Sequence, residues 1–508
     1  MLIVLLTLRL AAQQVPVVEV TLTNGMRLLM VQRHDEPSIA GGWVAHVGSA
    51  NERPGITGIT HLFEHMMFKG TRTIGTRDPE RDLQIIEEQE RIREEIRKEE
   101  AKLRAAWRRG EIDDWRKPEN RTPRLRELEA RFRELVEEQR RLLVKNEFDR
   151  IYTAAGASGM NAFTTEDLTA YFITVPANKL ELWMWMESER LLHPVFREFY
   201  AERDVVFEER RLRIESTPLG RFEETFNALF WQSHPYLWPV VGWPSDIPAI
   251  TKAQADEFYA TYYTPENITL VLVGDFTTNQ AVAMAQRYFG RIPPGNRPPP
   301  EVITEEIPPV AERRMYAEAE ANPRVHIAWL TVPFAHKDSY PLDLLAEILS
   351  HRTGRLYKGL VLGREIATQV SASQNSQKWS GNFLITAEAR EPHTPEEVEK
   401  AIYEELARLQ EEPVPPEELQ KVKNNFAANE YRRLTSNFAI LIQLLLYDGW
   451  GDWREINAAG PKYQAVTAED IQRVARKYFT KEARTVAIYT RKPAAGAKAA
   501  GALPPDQP

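Results

Sequence analysis

Two stretches of the sequence, 216 residues apart, align with each other without a gap, and this repeat most constrains the fold. Residues 250–273 and 466–489 each have the pattern of a capped helix followed by an apolar strand. The pattern predicts one helix-and-strand unit that occurs twice in the chain. The identical residues form the pairs Thr251/Thr467, Tyr262/Tyr478, Thr264/Thr480, Glu266/Glu482 and Thr269/Thr485.

The repeat predicts an α+β fold with two tandem homologous domains, each an antiparallel-rich sheet with helices packed on it. We place the first domain at residues 17–291, a proline-rich linker at 292–309 and the second domain at 310–492. Residues 1–16 resemble a secretory signal remnant, with a frayed end as the alternative. Residues 493–508 are of low complexity and are predicted to be disordered.

Residues 78–146 interrupt the first domain with a different pattern. Apolar residues keep heptad spacing in two arms, charged residues fill the positions between them, and a polar turn separates the arms. This pattern predicts an antiparallel coiled-coil hairpin, inserted either as a solvated strut or as an arm that docks on a partner. The heptad residues are Ile85, Ile92, Ile96 and Leu103 in the first arm, and Leu125, Leu128, Phe132, Leu135 and Leu142 in the second.

The rest of the first domain alternates between strand and helix patterns. Residues 17–33 predict a β-hairpin, and a strand is predicted at 42–46. Within residues 156–175 a glycine-rich turn leads into another strand. Two helices are then predicted at Lys179–His193 and Glu198–Glu215.

Composition narrows the classes of function. The formal charge of -8 and the pI near 5.9 argue against the concentrated basic surface that nucleic-acid binding needs, so no nucleic-acid partner is expected. The chain has no cysteine, which excludes disulfides and thiolate metal sites, so any zinc must be held by histidine and carboxylate. No apolar run reaches the roughly 18 residues of a membrane-spanning helix, so no transmembrane segment is expected.

Residues 61–65 read His-Leu-Phe-Glu-His, in the order H-x-x-E-H. Two histidines four residues apart lie one turn apart on one face of a helix, so both imidazoles can reach one metal ion. The carboxylate of Glu64 then lies beside that ion, where it can take a proton from an attacking water. This order is the inverzincin motif of metallopeptidases. The alternative is a pair of solvated surface histidines.

A catalytic zinc ion that is held by two histidines normally takes one more protein ligand. The segment AERDVVFEERRLR, residues 201–213, offers three acidic candidates on a predicted helix. Glu202 and Glu209 are seven residues apart and share one face of that helix, whereas Glu208 points roughly 100° away. The spacing alone leaves both Glu202 and Glu209 open as ligands.

The sequence resembles the pitrilysin/insulysin family of zinc metallopeptidases, specifically its short bacterial branch that is similar to mitochondrial processing peptidases. The resemblance is carried by the tandem duplication and by the segments HLFEHMMFKGT, GMNAFTTEDLTAYF, ERDVVFEE and YYTPENITLVLVGDF. It implies a zinc-dependent endopeptidase that hydrolyses unfolded peptides in an enclosed chamber. It further implies one Zn²⁺ per chain, held by His61, His65 and Glu209, with Glu64 as the catalytic base.

The same resemblance implies supporting roles for three other residues. Glu202 would support the zinc site from behind its ligands. Asn161 and Ala162 would contact the backbone of a substrate peptide that is added as a strand, with a structural turn as the alternative. The resemblance also favours a periplasmic or secreted protein, with the cytoplasm as the alternative.

One departure from the family's pattern indicates whether the chain needs a partner chain. Family members that act alone carry an Arg and a Tyr, seven apart, in the second half, where they hold the substrate and stabilise the oxyanion. In the stretch RLYKGLVLGREIATQV, Val361 aligns with that Arg and Thr368 with that Tyr, while Arg364 comes three residues late. We therefore expect a heterodimer whose homologous partner supplies the Arg/Tyr pair. The alternatives are a homodimer, a chain that works poorly alone with another donor, and a non-catalytic scaffold or chaperone-like subunit.

Overall fold

The computed structural model describes residues 14–492, whose strands form two sheets. The first sheet contains β1 (Val18–Thr21), β2 (Arg27–Gln32), β3 (Ser38–Ala45), β4 (Ser158–Thr164), β5 (Thr169–Pro176) and β6 (Ile268–Gly274), in the order β1-β2-β6-β3-β5-β4. The second contains β7 (Arg313–Ala319), β8 (Arg324–Thr331), β9 (Ala367–Ser376), β10 (Gly381–Ala389) and β11 (Arg484–Arg491), in the order β7-β11-β8-β10-β9. The predicted tail at 493–508, and residues 1–13 of the signal-like segment, lie outside the described residues.

Fifteen α-helices surround these sheets in the described part of the chain. They are α1 (Ile59–Met66), α2 (Pro79–Arg108), α3 (Pro123–Leu142), α4 (Glu147–Ala154), α5 (Leu180–Leu192), α6 (Phe199–Arg210), α7 (Gly220–Phe230), α8 (Lys252–Tyr262), α9 (Thr278–Tyr288), α10 (Ser339–Leu349), α11 (Pro395–Glu411), α12 (Pro416–Arg433), α13 (Asn437–Trp450), α14 (Glu455–Ala465) and α15 (Ala468–Tyr478). Within residues 14–492, no helix has both the length and the apolar character that crossing a membrane requires.

The two sheets have the same core topology, which confirms the prediction of two α+β domains. In each sheet one pair of neighbouring strands is parallel, β2 with β6 and β7 with β11, and the other pairs are antiparallel. The aligned repeat corresponds to α8 with β6 and α15 with β11. Thr251 and Thr467 begin the two helices in the same way, since each hydroxyl accepts a hydrogen bond from a backbone N–H three residues on.

Each domain contributes one helix to the sheet of the other. One face of the first sheet packs on the helices of its own domain, and the opposite face is covered by α13, through Leu441, Leu444 and Leu445. Reciprocally, α7 of the first domain covers one face of the second sheet through Phe222 and Phe226. Because each sheet needs both faces buried, neither domain completes its core without the other.

A buried carboxylate fixes α13 on the first sheet. The fully buried Asp448 accepts hydrogen bonds from Arg27 of β2 and from His46 at the end of β3, both at 2.8 Å. A buried charge is tolerated only where such partners compensate it. The contact therefore fixes the position of α13 on the first sheet.

Two predictions in the first domain need correction. The predicted strand at 42–46 begins earlier, because β3 spans Ser38–Ala45. The glycine-rich stretch turns only at residues 155–156, and from Ser158 it forms the edge strand β4, which pairs with β5. The helices predicted at 179–193 and 198–215 are present as α5 and as α6 with a wider helical turn at Arg211–Glu215.

The inserted segment forms two helices, α2 and α3, that pack on each other. Asp78 caps α2 and Thr122 caps α3, each accepting a backbone N–H at 3.1 Å, and a proline follows each cap. The coiled-coil geometry itself stays a prediction. The predicted heptad residues that are buried are Ile85, Ile96, Leu103, Leu125, Leu128 and Leu135.

Leu444→Ala should lower the free energy of unfolding by about 2–5 kcal/mol, because it leaves a cavity between α13 and the first sheet. Amide hydrogen exchange should quicken in β3 and β6, although the substitution lies in the second half of the chain. Leu362→Ala, at an exposed position of the second domain, is the matched control and should cost under about 1 kcal/mol. If amide hydrogen exchange became faster only in the second sheet, this result would contradict the packing of α13 on the first sheet.

Candidate active site

The helix that carries the H-x-x-E-H motif has its first turn fixed by two residues. Gly58, which precedes α1, has φ of 91°, and a Cβ at this position would lie 2.5 Å from the carbonyl oxygen of Val241. The buried carboxylate of Glu52 accepts hydrogen bonds from the backbone N–H of Gly58 and of Thr60, both at 2.8 Å. Burial raises the pKa of Glu52 to about 8. The start of α1 is thereby held in one place.

His61, His65 and Glu209 converge from α1 and α6. One ligand atom from each, an imidazole nitrogen or a carboxylate oxygen, can be chosen so that all lie within 4.8 Å of one another. His65 Nε2 lies 3.3 Å from Glu209 Oε2, and His61 Nε2 lies 3.8 Å from Glu209 Oε1. The structure therefore brings together the three residues that the sequence suggested as metal ligands.

These three residues fit a zinc ion. A tetrahedral zinc ion with bonds of about 2.0–2.1 Å keeps its ligand atoms roughly 3.3–3.4 Å apart. The His65–Glu209 separation of 3.3 Å matches this spacing, and the whole set lies within 4.8 Å. Two imidazole nitrogens and one carboxylate oxygen are also a known donor set for catalytic zinc. The fit therefore rests on both the chemistry and the spacing of the donors.

Burial and neighbouring charges shift the pKa values of the two histidines in opposite directions. Burial, reinforced by His65 and Arg213, lowers the pKa of His61 to about 3, so its imidazole is neutral, which is the form that binds a metal. Burial alone would also lower the pKa of His65. The hydrogen-bonded Glu202 and the charge of Glu209 outweigh burial there, and the net shift of that pKa is upward.

Glu202 and Lys69 hold His65 from behind. His65 Nδ1 lies 3.4 Å from Glu202 Oε2, and the Lys69 ammonium pairs with the other oxygen of the same carboxylate. This contact turns Nε2 of His65 toward Glu209. Glu208, in contrast, is exposed and pairs with Arg211 at 2.9 Å, which agrees with its predicted position away from the site.

Glu64 points toward the edge strand of the first sheet. The hydroxyl of Thr164, the last residue of β4, donates a 2.7 Å hydrogen bond to Glu64 Oε2. Burial raises the pKa of Glu64, and the hydrogen bond from Thr164 lowers it less. Asn161 and Ala162 lie earlier on β4, Asn161 exposed and Ala162 buried. Among the described strands β4 pairs only with β5, so its other edge is available to a further strand.

The residues at the aligned Arg and Tyr positions have other partners. Val361 is buried in the core of the second domain. The Thr368 hydroxyl donates to Glu388 at 2.8 Å, and Arg364 pairs with Glu404 at 2.7 Å.

Four residues that contact the site or the helix that carries it were not predicted from the sequence. Thr164 and Lys69 lie within quoted segments, and the spacing of four residues between His65 and Lys69 is a readable signal, although Lys69 lies just beyond the end of α1. Glu52 acts from a loop, and its role has no local pattern. Arg213, which is exposed and lies 2.7 Å from Glu209 Oε1, could have been found by its spacing of four residues on the helix.

Residues 27–98 match the family described as Insulinase (Peptidase family M16), and residues 249–426 match the Peptidase M16 inactive domain. The second description agrees with a difference between the two domains. Helix α10 follows β8 as α1 follows β3, but α10 contains no histidine. The H-x-x-E-H arrangement thus belongs to the first domain.

Relatives match along nearly the whole chain. The zinc protease PqqE of Helicobacter pylori is 24% identical over 481 residues, which cover 93% of this chain and 92% of that protein. The uncharacterized zinc protease YmxG of Bacillus subtilis is 20% identical over 475 residues, covering 91% and 95%.

Solved structures share the fold. The crystal structure of a protease from Helicobacter pylori has a TM-score of 0.75 at 22% identity and covers 93% of this chain and 99% of that one. The periplasmic protease PqqL of Escherichia coli has a TM-score of 0.67 at 16% identity and covers 94% of this chain and 48% of that one. Both sequence matches name the same family, and the fold agrees with it. This chain belongs to peptidase family M16, the insulinase/pitrilysin family, and contains its N-terminal and C-terminal domains.

Proposed function

We propose that the chain is a zinc-dependent endopeptidase whose ligands are His61, His65 and Glu209. The observation that carries this proposal is the convergence of their donor atoms within 4.8 Å, next to the carboxylate of Glu64 on the same helix as both histidines. The zinc proteases among the relatives support it. A non-catalytic scaffold has no use for this complete donor set, which speaks against that rival function.

Zinc, when bound, polarises the scissile carbonyl and makes water a better nucleophile. Glu64 is the proposed general base, which takes a proton from the attacking water and passes it to the leaving amine. Its raised pKa brings it closer to the working range of a base at neutral pH. Thr164 holds the carboxylate through one oxygen and leaves the other oxygen for this transfer. Glu202 orients His65 from behind.

The proposed substrates are unfolded peptides. A peptide that adds to the open edge of β4 must be extended, and it would run past Asn161 and Ala162 toward Glu64. A chamber closed by a second chain would further exclude folded proteins. A periplasmic or secreted location is proposed by analogy with PqqL, which is described as periplasmic.

We further propose that a homologous chain completes the site. Buried Val361 cannot donate a hydrogen bond, and Thr368 already donates to Glu388. An oxyanion donor from a partner would supply what these two positions lack. A homodimer would bring together two chains that both lack this oxyanion donor, so we favour a heterodimer.

Glu64→Gln should lower turnover of a quenched, unstructured peptide by about 100- to 10,000-fold, because it removes the general base. The variant should still bind one zinc ion per chain, measured by mass spectrometry under native conditions. An active Gln variant would overturn the role of Glu64, whereas loss of zinc would show that Glu64 acts in binding instead.

Glu202→Gln should weaken zinc affinity by about 10- to 100-fold, because His65 loses the carboxylate that orients it. Competition with a chromophoric chelator measures this. Glu208→Gln, at an exposed position on the same helix, is the matched control and should bind zinc as the unchanged protein does. Equal zinc affinities for the two variants would show that Glu202 does not support zinc binding.

The purified chain alone should cleave the same peptide slowly, and adding the homologous chain that carries the Arg/Tyr pair should raise the rate by about 100-fold. The mixture made with Glu64→Gln is the control, and it should stay inactive if the working zinc site belongs to this chain. Full activity of the chain alone would contradict the heterodimer and point to an oxyanion donor within it.

A further inference from the structure

The loop after the motif helix closes around one buried guanidinium group. Arg197, two residues before α6, donates to the backbone carbonyls of Lys69 at 3.2 Å, Thr71 at 2.6 Å and Ile74 at 3.0 Å. Its side chain is 1% exposed, so these bonds and their carboxylate partner must compensate the charge. Arg197 thus joins the start of α6 to the end of α1.

The carboxylate partner of Arg197 comes from the inserted hairpin. Asp82, in the first turn of α2, has no exposed side-chain surface and accepts from Arg197 Nε at 2.6 Å. Its other oxygen accepts from Gln139 of α3 at 2.9 Å, and Gln139 in turn accepts from Gln89 of α2 at 3.1 Å. The α2 arm is therefore bonded directly to Arg197, and the α3 arm is linked to it through Asp82.

A second contact links the hairpin to α6. The Tyr200 hydroxyl, in the first turn of α6, donates to Glu90 of α2 at 2.5 Å. The Tyr200 ring packs edge-on against Phe132 of α3, and the Arg93 guanidinium lies 4.8 Å from its centroid. Glu202 follows two residues later on the same helix.

The end of the hairpin also forms one wall of a cavity beside the proposed base. This cavity of about 530 Å³ is lined by Glu64 and His65 on one side and by residues 143–148 on the other. The Val144 N–H donates to the Gly75 carbonyl at 3.0 Å, and the Glu147 carboxylate accepts from the Gly75 N–H at 2.6 Å, so this wall is attached to the loop that Arg197 holds. The hairpin therefore contacts the surroundings of the site at three places, which are Arg197, Tyr200 and the cavity beside Glu64.

We infer that the hairpin at 78–146 positions the metal site. Arg197, Asp82 and Tyr200 are then positioning residues that hold α1 and α6 in their positions relative to each other. This inference rests on the proposed function. A solvated strut would need only exposed contacts with the domain, whereas Asp82 and Arg197 are buried at the junction itself. Removing their contact should loosen the loop after α1 and the start of α6 together.

The experiment compares Asp82→Asn and Tyr200→Phe with the control Arg81→Gln. Arg81 bridges the same two helices through Glu138 of α3 and also pairs with Glu88 of its own helix, but its side chain is partly exposed. Hydrogen exchange of the metal-free full chain is measured over residues 67–75 and 199–210, and zinc affinity by chelator competition. Tyr200→Phe keeps the ring and so tests the idea even if Asp82→Asn fails to fold.

Asp82→Asn should speed exchange in both segments and weaken zinc affinity by about tenfold or more. Tyr200→Phe should also speed hydrogen exchange in residues 199–210. Arg81→Gln should change neither hydrogen exchange nor zinc affinity. Unchanged exchange and affinity in a folded Asp82→Asn or Tyr200→Phe variant would overturn the inference. If the unchanged chain binds no zinc, the proposed function fails, whereas the exchange data still decide whether the hairpin holds the two segments.

Discussion

The site depends on one geometric constraint, which is that donor atoms from α1 and α6, far apart in sequence, must stay within a few ångströms of each other. The first turn of α1 is held by Glu52 and Gly58. Lys69, just beyond α1, pairs with Glu202 of α6. Most of these contacts are buried, and a buried polar contact that is lost leaves its partner unsatisfied, so displacement of either helix is strongly disfavoured.

Burial does more than fix positions, because it also sets the protonation of the site. At His61 and Glu64 the loss of solvent dominates and favours the neutral form of each group. At His65 the carboxylates of Glu202 and Glu209 outweigh burial and favour the charged form. Three carboxylates meet here, and Lys69 and Arg213 balance them in part.

Much of the fold could be predicted from the sequence where the signal is local. The motif helix, the duplicated helix-and-strand unit and the two arms of the insertion all follow from short-range periodicity. Strand β4 was not predicted as a separate strand because Ser158 and Gly159 have low strand propensity, and pairing with β5 overrides that propensity. The exchange of α7 and α13 was not predictable, because an apolar helix face does not say which sheet it covers. For the same reason Glu52 and Arg197, whose partners come from distant segments, carried no readable signal.

The most direct test of the zinc site is a crystal structure of the chain grown with zinc, with diffraction data collected on both sides of the zinc absorption edge. We expect one strong anomalous peak per chain, bonded to His61 Nε2, His65 Nε2 and a carboxylate oxygen of Glu209. The absence of such a peak at full zinc occupancy in solution, or a peak held by other residues, would contradict the proposed centre.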